Sequence, residues 1–241
     1  MLPEFGIDFR KLWQSGGSST VVSGPYAAAL VGWREAVAAI YGELRAAHAL
    51  DPQAAWRNFR ERRDHLYKHH PCSALTDREK QLFDGFDYHA YDPQLCFVGE
   101  VDYAVEETAL TTEISEGTLP YRRIGVAKFR HHGAPHSLEL YWLDIYGGGL
   151  WVPVGDATNG KTSYGGGRYL FDTTKGANLG LHADGRRILL DLNFLYSPSC
   201  ALNSAWVCPL SPPANKLPFA VNSGERDWAS KAEPAAMRRR A

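Results

Sequence analysis

Between residues 94 and 145 one unit recurs, a short run of strand-forming residues followed by a turn. The runs occupy residues 94–104, 107–115, 121–129 and 137–145, and the turns are sequences such as Glu116-Gly117 and Gly133-Ala134-Pro135. No helical pattern alternates with these strands, which argues against a doubly wound parallel sheet and for an antiparallel meander. Further strands are expected at residues 150–154, 168–171, 187–194 and 217–221.

Upstream the period is different. Gly24-Pro25 suits a helix start, with proline at the first helical position. Leu30, Trp33, Val37, Ile40 and Leu44 then fall on one helical face. Asp51-Pro52 opens a second helix with aspartate as N-cap. Trp56, Phe59, Arg63, Leu66 and Tyr67 mark its inner side, and Pro71 ends it. Thr76 and Glu79 form a capping box for a short third helix running to about Phe83. The apolar stripes require these helices to dock on something.

The expected fold is therefore mainly β (α+β), an antiparallel barrel or sandwich with N-terminal helices packed on it. Its divisions are a flexible lead-in over residues 1–24, a helical region over 25–84, a β-rich unit over 85–226 and a polar tail over 227–241. A chain of 241 residues buries roughly 70–75% of its unfolded surface and needs no disulfide staple. Its net charge of −1 gives no field to draw nucleic acid or an anionic membrane. No apolar run approaches the ~18 residues of a membrane span. The opening Met-Leu-Pro-Glu-Phe-Gly has no basic segment followed by an apolar run, so no secretory leader is expected. A cytoplasmic location with four reduced cysteines follows.

The candidate chemistry lies in the C-terminal half. Residues 155–162 read G-D-A-T-N-G-K-T and fit the phosphate-loop pattern. That loop needs a helix after it, and Ser163-Tyr164-Gly165-Gly166-Gly167 follows instead; glycine costs about 1 kcal/mol per helical position. A polar turn between strands is the expectation. Glycines 165–167 allow close approach to Arg168, whose planar fork suits a carboxylate or phosphate, or pairs with Asp156 or Asp172. In I-L-L-D-L-N-F, strand alternation sets Asp191 and Asn193 on one face, toward either a ligand cavity or a satisfied buried network. Cys200 and Cys208 flank A-L-N-S-A-W-V, a spacing open to redox, metal or plain buried roles, without a nearby histidine. Cys72 and Cys96 read as structural. His131, His132 and His136 read as a solvated hairpin tip, His69-His70 as a helix end, and the run Arg57, Arg60, Arg62, Arg63 as a solvated helix face.

The blocks D-A-T-N-G-K-T-S-Y-G-G-G-R-Y, D-L-N-F-L-Y-S-P-S-C-A, C-P-L-S-P-P-A-N-K-L and G-E together resemble the bacterial and archaeal family known as domain of unknown function 1684. The likeness covers about residues 83–225. The family pattern falls here on Asp156, Thr158, Gly160, Tyr164, Gly167 and Arg168. It continues through Asp191, Asn193, Tyr196, Pro198, Cys200, Cys208, Pro209, Asn215, Gly224 and Glu225. Leu192 stands where the family commonly has Phe, and Lys161 matches no fixed position. The resemblance implies no activity. It implies that these polar residues share a location.

The resulting expectation is a small-molecule site in or at the mouth of the β-structure, without metal or organic cofactor. Asp156, Tyr164, Arg168, Asn193, Tyr196 and Asn215 would bind a ligand bearing an anionic or carbonyl group. Asp191, Glu225 and Cys200 would carry any hydrolase- or isomerase-type chemistry. The alternatives are a non-catalytic module for an apolar or haem-like ligand, and polar residues that only pin loops. The small molecule is the expected partner, nucleic acid and membrane are not, and the sequence leaves the oligomeric state open.

Overall fold

The computed structural model describes residues 24–114 and 117–228. The expected lead-in over 1–24 lies outside the described residues except Gly24, and the expected tail over 227–241 except Asp227 and Trp228. Glu116 of the expected turn also lies outside them.

Among the described residues three helices come first: α1 (Gly24–His48), α2 (Pro52–His69) and α3 (Asp77–Leu82). The Asp51 side chain accepts the Ala54 N–H at 2.9 Å and caps α2. Thr76 and Glu79 complete the capping box of α3. Seven strands follow: β1 (Cys96–Asp102), β2 (Thr108–Ile114), β3 (Gly117–His131), β4 (Ala134–Leu143), β5 (Gly149–Val154), β6 (Arg168–Asp172) and β7 (Arg187–Asp191).

The strands form one antiparallel sheet in the order β6-β5-β4-β3-β1-β7, with β2 also on β3. β3 is long enough that one edge carries β4 from Tyr121 to His131, while the other carries β2 and then β1. The sheet curls into a half-barrel with β6 and β7 as its outer strands. The N-terminal helices and the chain beyond β7 pack into the main core. There Ile40, Leu44 and Phe59 join Leu138, Leu170, Leu190 and Phe194. Each such side chain contributes about 1.5–3 kcal/mol of burial. A smaller cluster is rich in aromatic rings, among them Tyr121, Tyr141, Trp151 and Tyr169. No helix of the described residues is long and apolar enough to cross a membrane.

Two expected strands differ. The run at 187–194 stops at Asp191, whose carboxylate accepts the Asn193 N–H at 3.0 Å and turns Leu192–Phe194 into a 3-10 helix. Residues 217–221 form no ladder. Pro218 lacks a donor, and the Val221 N–H goes to the Asp156 carboxylate at 3.1 Å. Trp228, near the start of the expected tail, packs its ring at an angle against Phe83 and Phe86 and is 9% exposed.

Gly176 fixes the seat of α1. Its φ is +88°, and a Cβ there would stand 3.1 Å from the Ala38 backbone nitrogen. Gly185 has a similar φ of +65° and open space around it. Gly185→Ala should therefore cost about 1 kcal/mol, the left-handed penalty alone. Gly176→Ala should cost a further 1–3 kcal/mol or so, because α1 must shift. Urea midpoints of the two variants check this; equal losses would mean that α1 does not press on Gly176.

Candidate functional site

The 156–168 loop is held from within. Asp156 Oδ1 accepts the Thr158 N–H at 2.7 Å, Thr158 and Ser163 hydroxyls lie 2.7 Å apart, and Asn159 donates to Tyr164 O at 2.7 Å. No helix follows Lys161, which is exposed, so the loop is a polar turn rather than a phosphate cradle. Gly167, with φ +88°, lies where a Cβ would meet Ser211 at 2.6 Å. Arg168 is 0% exposed. Its Nη2 donates to Asp156 Oδ2 at 2.9 Å and to Val221 O at 3.0 Å; its Nη1 donates to Ser223 O and to Glu225 O at 3.1 Å. Burial pulls the guanidinium below its ordinary pKa, and Asp156 opposes that shift. The pair fastens the 221–225 segment to β6.

Asn215 is another clamp. It accepts the Glu139 N–H at 2.7 Å and donates to Glu139 O at 3.0 Å and Pro153 O at 2.8 Å, tying β4 to β5. Asn193 accepts the Asp92 N–H and donates to Asp92 O, both at 2.8 Å. Asp191 receives Asn193, His48 Nε2 at 2.8 Å and Tyr91 OH at 3.2 Å.

Glu225 takes part in a different group. Its Oε2 lies 2.7 Å from Nη2 of Arg63, and both side chains are buried. The Arg63 guanidinium is packed by the rings of Tyr67, Phe86 and Tyr196 at 4.4, 4.8 and 5.1 Å. Burial pushes the Glu225 carboxyl up, while Arg63 and the neighbouring Ser197 pull it back. Arg63 Nε is buried without a partner among the described residues. On the other side of Arg63 lies a cavity of about 70 Å³ between α1, α2 and residues 169–199. Val37, Ile40, Phe59 and Leu66 supply apolar wall; Tyr41, Tyr67 and Tyr196 line it too. Burial raises the pKa of all three phenols, so they stay neutral donors.

Cys200 and Cys208 are free thiols near Tyr164, whose hydroxyl is 3.5 Å from Cys200 Sγ. Hydrogen bonds from the Cys208 thiol, from Tyr164 and from backbone amides pull the half-buried Cys200 thiol down to about 6. The same contact and burial push Cys208 far up.

The residues singled out from sequence thus lie in separate groups: Asp156 with Arg168, Asp191 with Asn193, Cys200 with Tyr164, Glu225 and Tyr196 around Arg63, and Asn215 alone between strands. Tyr196 lines the cavity, and Glu225 lies behind it on Arg63. Sequence reasoning placed Arg63 both on the inner side of α2 and in a solvated basic run. The structure settles that at 6% exposure. The spacing of Arg63 with Phe59, Leu66 and Tyr67 was the signal. Tyr41 and Ser197 carried none.

Residues 81–226, more than half of the chain, match the model of the family described as "Protein of unknown function (DUF1684)". The chain is also similar to an uncharacterized protein of Haloarcula marismortui, solved in solution by NMR. The two are 28% identical with a TM-score of 0.54, over 73% of this chain and 94% of that one. No curated protein matches the chain.

Arg168→Ala leaves Asp156 buried without its counter-charge and should cost roughly 3–5 kcal/mol, read as a lower urea midpoint. A loss below about 1 kcal/mol would mean the pair does not hold the 221–225 segment. The lowered thiol predicts that alkylation of Cys200 reaches its plateau rate above a midpoint of about 6. Tyr164→Phe should move the midpoint upward. A midpoint near the ordinary thiol value of about 8.5 would show that these hydrogen bonds do not form.

Proposed function

The chain belongs to the DUF1684 family of proteins of unknown function, and we propose that it binds a small neutral carbonyl compound in the cavity beside Arg63. The carrying observation is the cavity itself, apolar over much of its wall yet also lined by a guanidinium and three phenols. Arg63 and the phenols of Tyr41, Tyr67 and Tyr196 line it, and burial keeps those phenols protonated. Few polar groups in an apolar hollow is the composition of a ligand site.

Charge balance favours a carbonyl over an anion. Arg63 is neutralised by Glu225, and Lys175 lies 3.3 Å from Asp172 at the same wall. An added carboxylate would meet no uncompensated positive charge. A carbonyl oxygen needs only a donor, which the hydroxyls of Tyr41, Tyr67 and Tyr196 in the wall can supply. Size sets a second limit. At about 70 Å³ the hollow is smaller than the ~150 Å³ cavity that takes up benzene, so a haem-sized guest does not fit.

A thiol hydrolase or isomerase is the second reading, favoured by the low pKa of Cys200 next to cavity-lining Ser199. The described contacts of Cys200, however, are Tyr164 and Cys208, neither a histidine nor a carboxylate base. Binding is the stronger reading.

The test is calorimetry and thermal shift with short ketones and amides beside matching carboxylates. Neutral carbonyl compounds should raise the melting temperature with concentration. Tyr41→Phe should weaken them about 3–10-fold, the value of one hydrogen bond. Ile40→Phe, which fills the hollow, should abolish binding. Undiminished binding to Ile40→Phe would place the ligand elsewhere, and a preference for carboxylates would overturn the carbonyl assignment.

A further inference from the structure

A second cluster of chemistry-bearing side chains lies where the end of α1 meets the edge of the sheet. Cys96 opens β1 and Asp191 closes β7, and the antiparallel register sets them directly opposite each other. Opposed residues have Cβ atoms about 4.5–5.5 Å apart on one face. His48, the last residue of α1, reaches the same point, with Nε2 2.8 Å from Asp191 Oδ2. One ligand atom from each of His48, Cys96 and Asp191 lies within 4.8 Å of the other two.

The Asp191 carboxylate is oversubscribed. Oδ1 accepts the Asn193 N–H at 3.0 Å and Asn193 Nδ2 at 2.8 Å. Oδ2 faces His48 and Tyr91 OH. The Cys96 thiol also reaches the carboxylate. That makes five donor groups for about four lone-pair sites. A cation that replaces the thiol proton resolves the crowding. It removes Cys96 from the donors and takes a lone pair each from the sulfur, the imidazole and Asp191 Oδ2. Asn193, fixed on Oδ1, then stands where outer-shell partners of a metal-bound carboxylate stand.

We propose that His48, Cys96 and Asp191 are the three protein ligands of a zinc-like divalent ion, with a fourth position beside Tyr91 left to water. The nitrogen, sulfur and oxygen donor set suits zinc and does not suit magnesium or calcium, which take oxygen. Zinc bond lengths set tetrahedral ligand atoms roughly 3.3–3.7 Å apart, so the contact between His48 and Asp191 opens by about half an ångström or somewhat more. His48 ends its helix with a 13% exposed side chain and has room for that shift. On binding, the Cys96 S–H bond breaks, its proton leaves to solvent and the sulfur electron pair goes to the metal. No oxidation state changes. The site does not rest on the carbonyl cavity. Phe194 separates them, contacting His48 on one side and cavity-lining Phe59 on the other.

The test uses the full chain, stripped with a chelator and titrated with cobalt(II) as a spectroscopic probe for zinc. Cobalt should bind stoichiometrically, with a thiolate-to-metal charge-transfer band and tetrahedral visible absorption, and zinc should displace it. Cys96→Ser should abolish the charge-transfer band, while Cys200→Ser and Cys208→Ser leave it intact. His48→Gln, a change at a partly exposed side chain, should weaken cobalt at least ~10-fold and carries the test if Cys96→Ser fails to fold. Absence of the band in the native chain, its survival in Cys96→Ser, its loss in Cys200→Ser, or undiminished affinity in His48→Gln would each overturn the assignment.

Discussion

The buried ion pair of Arg63 and Glu225 joins the two halves of the molecule. Arg63 belongs to α2 and Glu225 to the chain beyond β7, and the contact between them is 2.7 Å. Removing both ions from water is costly, and mutual attraction alone rarely recovers the cost. Here three aromatic rings cover the guanidinium, and Ser197 assists the carboxylate. The pair therefore fixes how the helices lie on the open side of the half-barrel. The hollow beside Arg63 is a consequence of that fixed distance, because α1 and α2 cannot settle further onto β6 without displacing the guanidinium.

The buried polar residues have a common physical origin. Between Asp191 and Trp228 the chain makes no strand among the described residues, only short 3-10 turns and single bridges. Backbone groups buried there lack a ladder and must find partners elsewhere. Arg168 serves the carbonyls of Val221, Ser223 and Glu225, and Ser223 serves Leu192 O at 2.9 Å, while Asn215 reaches from that segment to the strand carbonyls of Glu139 and Pro153. Side chains take over the task that strand pairing performs in the rest of the sheet. Such residues look like site residues in a sequence, because both roles select polar groups in apolar surroundings.

That overlap explains what was legible. The meander could be read because alternation and turn chemistry are local, and β1 to β7 all lie within the expected runs or extend them by a few residues. The caps Asp51 and Thr76 were legible for the same reason. The turn at Leu192–Phe194 was not, since Leu-Asn-Phe continues the alternation and only the reach of the Asp191 carboxylate breaks it. The grouping of the polar residues was likewise hidden. Arg63 and Glu225 are 162 residues apart, and nothing near either names the other. The histidine that meets Asp191 comes from 143 residues upstream.

Both small-molecule and metal assignments draw on the helices as well as on the sheet. The family match begins at residue 81, after α1 and α2, which supply Tyr41, Phe59, Arg63 and His48. Under both proposals the half-barrel is a frame, and the preceding helices supply side chains that complete each site. A relative with the same strands but other preceding helices would inherit the scaffold and lose the specificity. Under these proposals, exchanging that helical pair would change the guest while leaving the curled sheet as it stands.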